Sequence, residues 1–285
     1  MCLIKAKKKF GQNFLQDGSI KQKIVESMPK NERILVEIGP GLGDLTQKLL
    51  EVKPLIAYEV DSDLCVYLRK KFTEELSEKR LKLIEQDVLE VYKSSSLCDE
   101  AYDLVANLPY YIATTIILQA LRDSLCMSMV VMVQKEVAQK FAATSGEKEF
   151  SSLAILAQSI ADVQILFDVP PQAFDPQPKV HSSVLFIKKS KQYIQSESSA
   201  GLFLEKKELH NFEKYLKIAF SAPRKMWLKN IASHFCKIFA STLLNELGYT
   251  QSIRPHEISV SNHHLLFQKL QGKNDGRKQR GNQTS

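Results

Sequence analysis

Val36-Glu37-Ile38-Gly39-Pro40-Gly41-Leu42-Gly43 decides the fold of this 285-residue chain. An apolar run breaks into three glycines at alternate positions, the pattern of a buried strand that turns sharply into a helix. Glycine adopts backbone angles closed to other residues and lets a ligand approach the main chain. A segment of helical composition, Asp44 to Leu50, follows at once. The next apolar run, Leu55-Ile56-Ala57-Tyr58-Glu59, ends on a carboxylate that can accept two hydrogen bonds from a ribose diol. Together the two elements predict a bound nucleoside.

Outward from this pair, residues 34 to 188 alternate between strands and helices. Further strands are expected at Leu83–Gln86, Tyr102–Ala106, Met127–Val133, Ile165–Val169 and Val184–Lys188. Helices are expected at Asp63–Lys71, Thr115–Arg122, Lys135–Ala142 and Ser152–Ile160. Such alternation predicts an α/β fold with a parallel sheet covered on both faces. The last two strands are joined by a proline-rich loop rather than a helix, so an antiparallel final hairpin is expected. Ligands of such sheets bind beyond the carboxyl ends of the strands. Gly39, Glu59, Asp87 and Asn107 all fall at such ends, and four strand ends then converge on one crevice.

The glycine turn alone does not name the nucleoside. Dinucleotide enzymes also pair a glycine-rich turn with an acidic residue about twenty positions on. The spacing here is G-x-G-x-G rather than G-x-G-x-x-G. A second element, Asn107-Leu108-Pro109-Tyr110, has no role in hydride transfer but suits an amine methylation. The exocyclic amine of adenine is a poor nucleophile because its lone pair is delocalised into the ring. The Asn107 side-chain carbonyl and the Leu108 backbone carbonyl can accept its two hydrogens and favour a tetrahedral nitrogen, the geometry of the transition state. Pro109 stiffens the turn, and Tyr110 offers a face on which a base can stack.

Net charge is +7, and it is unevenly spread. Lys206–Ser285 holds 14 Lys and Arg against 5 Asp and Glu, whereas the whole chain carries 39 against 32. A basic arm, Lys5, Lys7, Lys8 and Lys9, stands at the other end. Positive charge at both ends suits a polyanion. In the C-terminal part, Phe220 to Asn230 interleaves aromatic and basic residues, and Arg224, Lys225 and Lys229 are candidate phosphate contacts. Phe10 to Leu15 reads as a loop or lid. Val169 to Val180 is a stiff proline-rich loop that can offer Phe174 to a flipped base opposite Tyr110.

The remaining features narrow the class. No apolar run approaches the roughly 18 residues that span a bilayer. The N-terminus has its charge after a very short apolar start, the wrong order for a secretory signal. Five scattered cysteines with no C-x-x-C pair read as free thiols in a reducing cytoplasm, and no metal site is expected. A monomer is the default expectation.

Phe10 to Leu15, Glu37 to Gly43, Asn107 to Tyr110, Phe174 to Val180 and Phe220 to Asn230, in this order, resemble the rRNA adenine N6-dimethyltransferase family. The likeness runs from about Lys8 to Leu270 and is closest to the bacterial branch that modifies 16S rRNA. It implies a Rossmann-like class I methyltransferase sheet, a small all-α C-terminal domain, and S-adenosylmethionine as cofactor. The implied reaction is dimethylation of two adjacent adenosines in the 3′-terminal hairpin loop of 16S rRNA, on an assembly intermediate of the 30S subunit. By position, Asn13, Leu15, Gly39 and Gly41 would border the cofactor. Glu59 would hold its ribose and Asp87 its adenine amine. Asn107 would bridge cofactor and target, with Tyr110 and Phe174 stacking on the target base. Lys7, Lys8, Lys9, Arg224, Lys225 and Lys229 would contact RNA.

On this resemblance the chain divides into a basic arm and cofactor lid (1–30), a methyltransferase domain (31–189), a linker (190–207), a helical RNA-binding domain (208–271) and a disordered tail (272–285). The sequence departs from the family pattern at Tyr111, Thr115, Pro223 and Trp227, positions that bear on RNA contacts rather than on the reaction. Two alternatives stand beside this assignment: a related enzyme class acting on large-subunit rRNA, and a non-catalytic RNA-binding assembly or transcription factor.

Overall fold

The computed structural model describes Lys7, residues 11–190 and residues 206–281, with residues 206, 207 and 272–281 described by their backbone alone. Two compact units are present. The first comprises the described parts of Met1–Gln139 together with Ala161–Lys189, and the second those of Lys140–Ile160 and Ser190–Ser285.

The first unit is built on a seven-stranded sheet in the order β4-β3-β2-β5-β6-β9-β7. Its strands are β2 (Ile34–Ile38), β3 (Leu55–Glu59), β4 (Leu81–Glu85), β5 (Tyr102–Asn107), β6 (Cys126–Gln134), β7 (Ala161–Val169) and β9 (Ser182–Lys189). β2 to β6 run parallel to one another. β9 lies antiparallel between β6 and β7, so the expected final hairpin is present. The central strands are covered on both faces and buried almost throughout, which is why their sequences are apolar without alternation. The edge strands β4 and β7 are only partly covered and carry Lys82, Glu85, Asp162 and Gln164.

Most expected elements lie within two or three residues of their observed bounds. The exception is β7, which begins at Ala161 rather than Ile165. Its polar start has no strand signature of its own and is defined by pairing with Lys188 and Lys189 of β9. A separate two-stranded pair joins β1 (Phe14–Leu15) to β8 (Phe174–Asp175). Local sequence gives no sign of this pair, because its partners are some 160 residues apart.

Parallel order reverses between β2 and β5, where one chain crossing goes to β3 and the next to β6. The crevice beyond that switch point is where an open α/β sheet receives its ligand. Gly43 shapes the turn that leads there. It adopts φ +77, and a Cβ in its place would stand 2.5 Å from the Phe72 ring and 2.8 Å from Leu68. The turn therefore packs against the helix α3 (Ser62–Lys71) and its C-cap only because position 43 lacks a side chain.

The second unit is helical. Its C-terminal part contains helices at Lys206–Ala219, Trp227–Ile231, Lys237–Glu246 and Val260–Gly281. Phe212, Tyr215, Leu216 and Ala219 form the buried stripe of the first. Trp227 is fully buried, and its indole N–H donates to the Tyr215 hydroxyl, which also meets His263 Nδ1 at 2.9 Å. Trp227, a departure from the family pattern, is thus a core residue of the helical unit.

Residues 140–160, assigned from sequence to the methyltransferase domain, belong to this helical unit. The Ser159 hydroxyl meets His264 Nε2 at 2.7 Å, and the Gly146 N–H donates to the His256 carbonyl. Most of the expected linker, residues 191–205, lies outside the described residues. The segment from Gly272, expected to be disordered, continues the last helix to Gly281, since each further residue of an established helix adds one hydrogen bond.

Candidate active site

Beyond the switch point lies a crevice of about 1030 Å3, its open mouth included. Asn13, Leu15, Gly39, Gly41, Glu59, Asp87, Asn107, Leu108, Pro109 and Tyr110 all line it. The structure thus brings together every expected cofactor and catalytic residue from five separate stretches of chain.

Glu59 closes β3 and is 5% exposed. Its Oε1 accepts the Val60 and Asp61 backbone N–H groups, both at 2.9 Å, and its Oε2 accepts the Gly41 N–H at 3.3 Å. Burial raises its pKa above the ordinary carboxylate value, and these three N–H groups oppose that rise. Asp87 follows β4 and caps the short helix Val88–Val91, its Oδ1 accepting the Leu89 N–H at 2.8 Å. That bond fixes the carboxylate and leaves its second oxygen for a ligand.

Asn107 closes β5. Its Nδ2 donates to the Asn13 carbonyl at 3.0 Å, which settles the orientation of the amide. Oδ1, with no hydrogen bond among the described residues, is left as an acceptor on the crevice side. The Tyr110 hydroxyl is held at 2.7 Å from the Ser182 hydroxyl at the start of β9, fixing the ring from its far end. Tyr111 is 62% exposed at the mouth, with its ring against Gly11.

Glu37 was quoted in the glycine segment without a role, yet it is the most perturbed carboxyl of the crevice. It is 1% exposed, and its Oε2 has no hydrogen-bond partner. Burial pushes its pKa up to about 8; the nearby Thr46 hydroxyl lowers it, and the neighbouring Glu59 raises it further. The Thr46 hydroxyl falls short of hydrogen-bond geometry. The signal for Glu37 was available: an ionisable residue inside an otherwise apolar central strand needs a partner.

One expected contact is corrected. Phe174 is 2% exposed, is absent from the crevice lining, and sits in the same core cluster as Leu15, Ile20 and Val184. The proline-rich loop turns it inward, where the apolar ring is removed from water, rather than toward a base. Lys7, expected on RNA, has its side chain 31% exposed and ion-paired. Its Nζ lies 2.6 Å from Asp61 Oδ1 and 2.6 Å from Asp63 Oδ2. Lys8 and Lys9 lie outside the described residues. Arg224, Lys225 and Lys229 are exposed on the helical unit. Their turn is clamped by buried Asn230, whose Nδ2 donates to the Ala219 and Ala222 carbonyls.

The charged residues of the crevice lining are Glu37, Asp44, Glu59 and Asp87; no Lys, Arg or His is among the lining residues described. Asp44 stands in the first turn of α2 (Asp44–Leu50), the place where a pyrophosphate would dock in a dinucleotide enzyme. An acidic crevice rejects an anionic dinucleotide and suits a nucleoside carrying positive charge. The orphaned Glu37 oxygen fits the positive charge of S-adenosylmethionine, and the Glu59 carboxylate at the end of β3 fits its ribose diol.

Sheet order, switch-point crevice and acidic lining define a class I methyltransferase that depends on S-adenosylmethionine. The family model described as ribosomal RNA adenine dimethylase matches residues 3–270, and the chain belongs to that family. The ribosomal RNA small subunit methyltransferase A of Campylobacter curvus is 48% identical over 98% of this chain and 96% of its own length. That of Sulfurimonas denitrificans is 48% identical over 97% and 98%. Among solved structures, a dimethyladenosine transferase from Plasmodium falciparum superposes with a TM-score of 0.74 at 22% identity, covering 91% of this chain and 98% of that one. The 23S rRNA methyltransferase ErmE gives 0.71 at 20% identity over 91% and 100%, which shows a shared fold.

Proposed function

We propose that the protein dimethylates N6 of two adjacent adenosines in the 3′-terminal hairpin loop of 16S rRNA, acting as a cytoplasmic monomer on a 30S assembly intermediate. The family membership and the relatives named for the small subunit support the substrate. The observation that carries the chemistry is the Asn107 amide, pinned by the Asn13 carbonyl at the mouth of an acidic crevice.

S-adenosylmethionine supplies an electrophilic methyl group on a positively charged sulfur. Glu59 holds the ribose hydroxyls, Asp87 accepts from the adenine amine, and the Gly39–Gly41 turn borders the methionine end. Asn107 Oδ1 and the Leu108 carbonyl accept the two hydrogens of the target amine and direct its lone pair. Both acceptors sit on a turn stiffened by Pro109 and are aimed before the substrate arrives. Tyr110 stacks on the target base. The proton can leave after the methyl has been transferred, so no charged general base is needed. Arg224, Lys225 and Lys229 contact RNA phosphates.

The test is labelled S-adenosylmethionine with immature small subunits, followed by mapping of modified nucleosides. Dimethyladenosine at two adjacent positions of the terminal hairpin is the expected product, and label on large-subunit RNA alone would overturn the substrate. Asn107→Ala should lower kcat by about 10²–10³ with cofactor binding still measurable, the usual effect of removing one transition-state hydrogen bond. Turnover within a factor of ten of the parent would remove Asn107 from its role.

A further inference from the structure

We propose that Lys7, Gln12 and Asp61 form a latch that holds Gly11 to Leu15 over the cofactor crevice, so that Lys7 governs cofactor retention rather than RNA binding. The inference rests on the cofactor assignment above and adds positioning residues to it.

Asp61 is a buried hub. Its side chain is 2% exposed, and its Oδ1 accepts from Lys7 Nζ at 2.6 Å and from the Asp63 N–H at 3.1 Å. Its Oδ2 accepts from Gln12 Nε2 at 3.1 Å. The Lys7 backbone N–H donates to Gln12 Oε1 at 2.7 Å, which closes a ring of contacts between the segment and Asp61. The Asp61 backbone N–H meanwhile donates to Glu59 Oε1. One residue therefore joins the N-terminal segment to the carboxylate assigned to the ribose.

Beside this anchor, Gly11 to Leu15 line the crevice. The Tyr111 ring lies against Gly11, where a Cβ would come within 3.2 Å of it. Asn13 accepts from Asn107, the Phe14 ring lies against Gly41, and Leu15 pairs with Phe174. The Asp61 anchor follows β3, and the Asn107 and Tyr111 anchors follow β5. These strands flank β2, so the anchors stand two strand spacings apart, roughly 10 Å, on either side of the glycine turn. A strap tied on both sides confines whatever lies beneath. Cutting one tie opens the crevice on the ribose side and leaves the buried Asp61 carboxylate without its cation.

The alternative role for Lys7 predicts a different signature. A lysine on a phosphate lowers RNA affinity when removed and reduces the salt slope by about one unit. A latch leaves both untouched and changes the cofactor. Lys7→Met, Lys7→Arg and Asp61→Asn should therefore be compared by S-adenosylmethionine titration, dissociation rate and RNA affinity across a salt series. Lys7→Met should weaken cofactor binding about tenfold, mainly through faster dissociation, as expected for loss of charge-assisted bonds. The KM for cofactor should rise with kcat at saturating cofactor little changed, and Lys7→Arg should restore most of the affinity. Asp61→Asn should weaken cofactor binding as well, and adding Lys7→Met to it should cause little further loss. Unchanged cofactor affinity in Lys7→Met would overturn the latch, whether or not RNA affinity falls. A parent protein that binds no S-adenosylmethionine would instead refute the cofactor assignment itself.

Discussion

Replacing Glu37 by Gln should make the protein's stability less dependent on pH, and the size of the effect follows from the burial of this one carboxyl. In the folded protein its pKa is pushed up to about 8 from the ordinary 4.5, chiefly by burial. The unfolded chain releases this proton near 4.5, while the folded chain keeps it until about 8. Between those values the folded state binds more protons, so this group's contribution to stability falls as pH rises and levels off above 8. Glutamine has nearly the same shape and no charge, so Glu37→Gln removes the term. At 1.36 kcal/mol per pKa unit, the variant should gain about 2.5 kcal/mol on the parent between pH 5.5 and pH 7.5. For a chain of this size that is a relative gain of about 4 °C in Tm. Denaturant and thermal unfolding of cofactor-free protein at four pH values from 5.5 to 8.5 would measure it. Parallel profiles for parent and variant would refute the reasoning, because they would mean Glu37 ionises alike in both states. A linked consequence concerns the cofactor. Its positive charge favours ionised Glu37, so its affinity should rise with pH up to about 8 in the parent and stay flatter in the variant.

Two further outcomes are expected. Gly43→Ala should cost about 3 kcal/mol of stability from left-handed strain and overpacking against Phe72 and Leu68, whereas Gly39→Ala, with nothing within 4 Å of its added Cβ, should cost only the strain; equal Tm losses in the two would contradict the packing argument. Arg224→Ala and Lys229→Ala should each lower affinity for small-subunit RNA and reduce the salt slope by about one unit with folding intact; unchanged RNA affinity in both would remove this turn from the RNA contact.

What the sequence disclosed, and what it hid, divides along a physical line. Gly39, Glu59, Asp87 and Asn107 are legible because each ends an apolar run, and the parallel fold brings all such ends to one side. The adjoining Leu108-Pro109-Tyr110 is legible because chemistry restricts what can sit beside a poor nucleophile. Phe174 was misplaced because a proline-rich loop fixes a backbone without telling which way its side chains turn. Lys7 is ambiguous in sequence because a lysine in a basic run looks the same whether it meets a phosphate or a buried Asp61 54 residues away. Trp227 gives no local sign of its burial because its partner, Tyr215, lies on another helix. In each case the deciding partner is distant in sequence.

The helical unit drawn from two separated segments also sets an order of events during synthesis. Ser159 waits for a partner, His264, that lies 105 residues later in the chain. At a translation rate of roughly 5–20 residues per second, that gap lasts roughly 5–20 s. Through that interval the helix Ser152–Gln158, with its buried Ile155 and Leu156, has been made, and the helix Lys206–Ala219 that contacts it has not. A polypeptide interrupted before residue 206 would keep that greasy face for good. Chaperones and proteases could then tell a truncated product from a finished one without any dedicated signal.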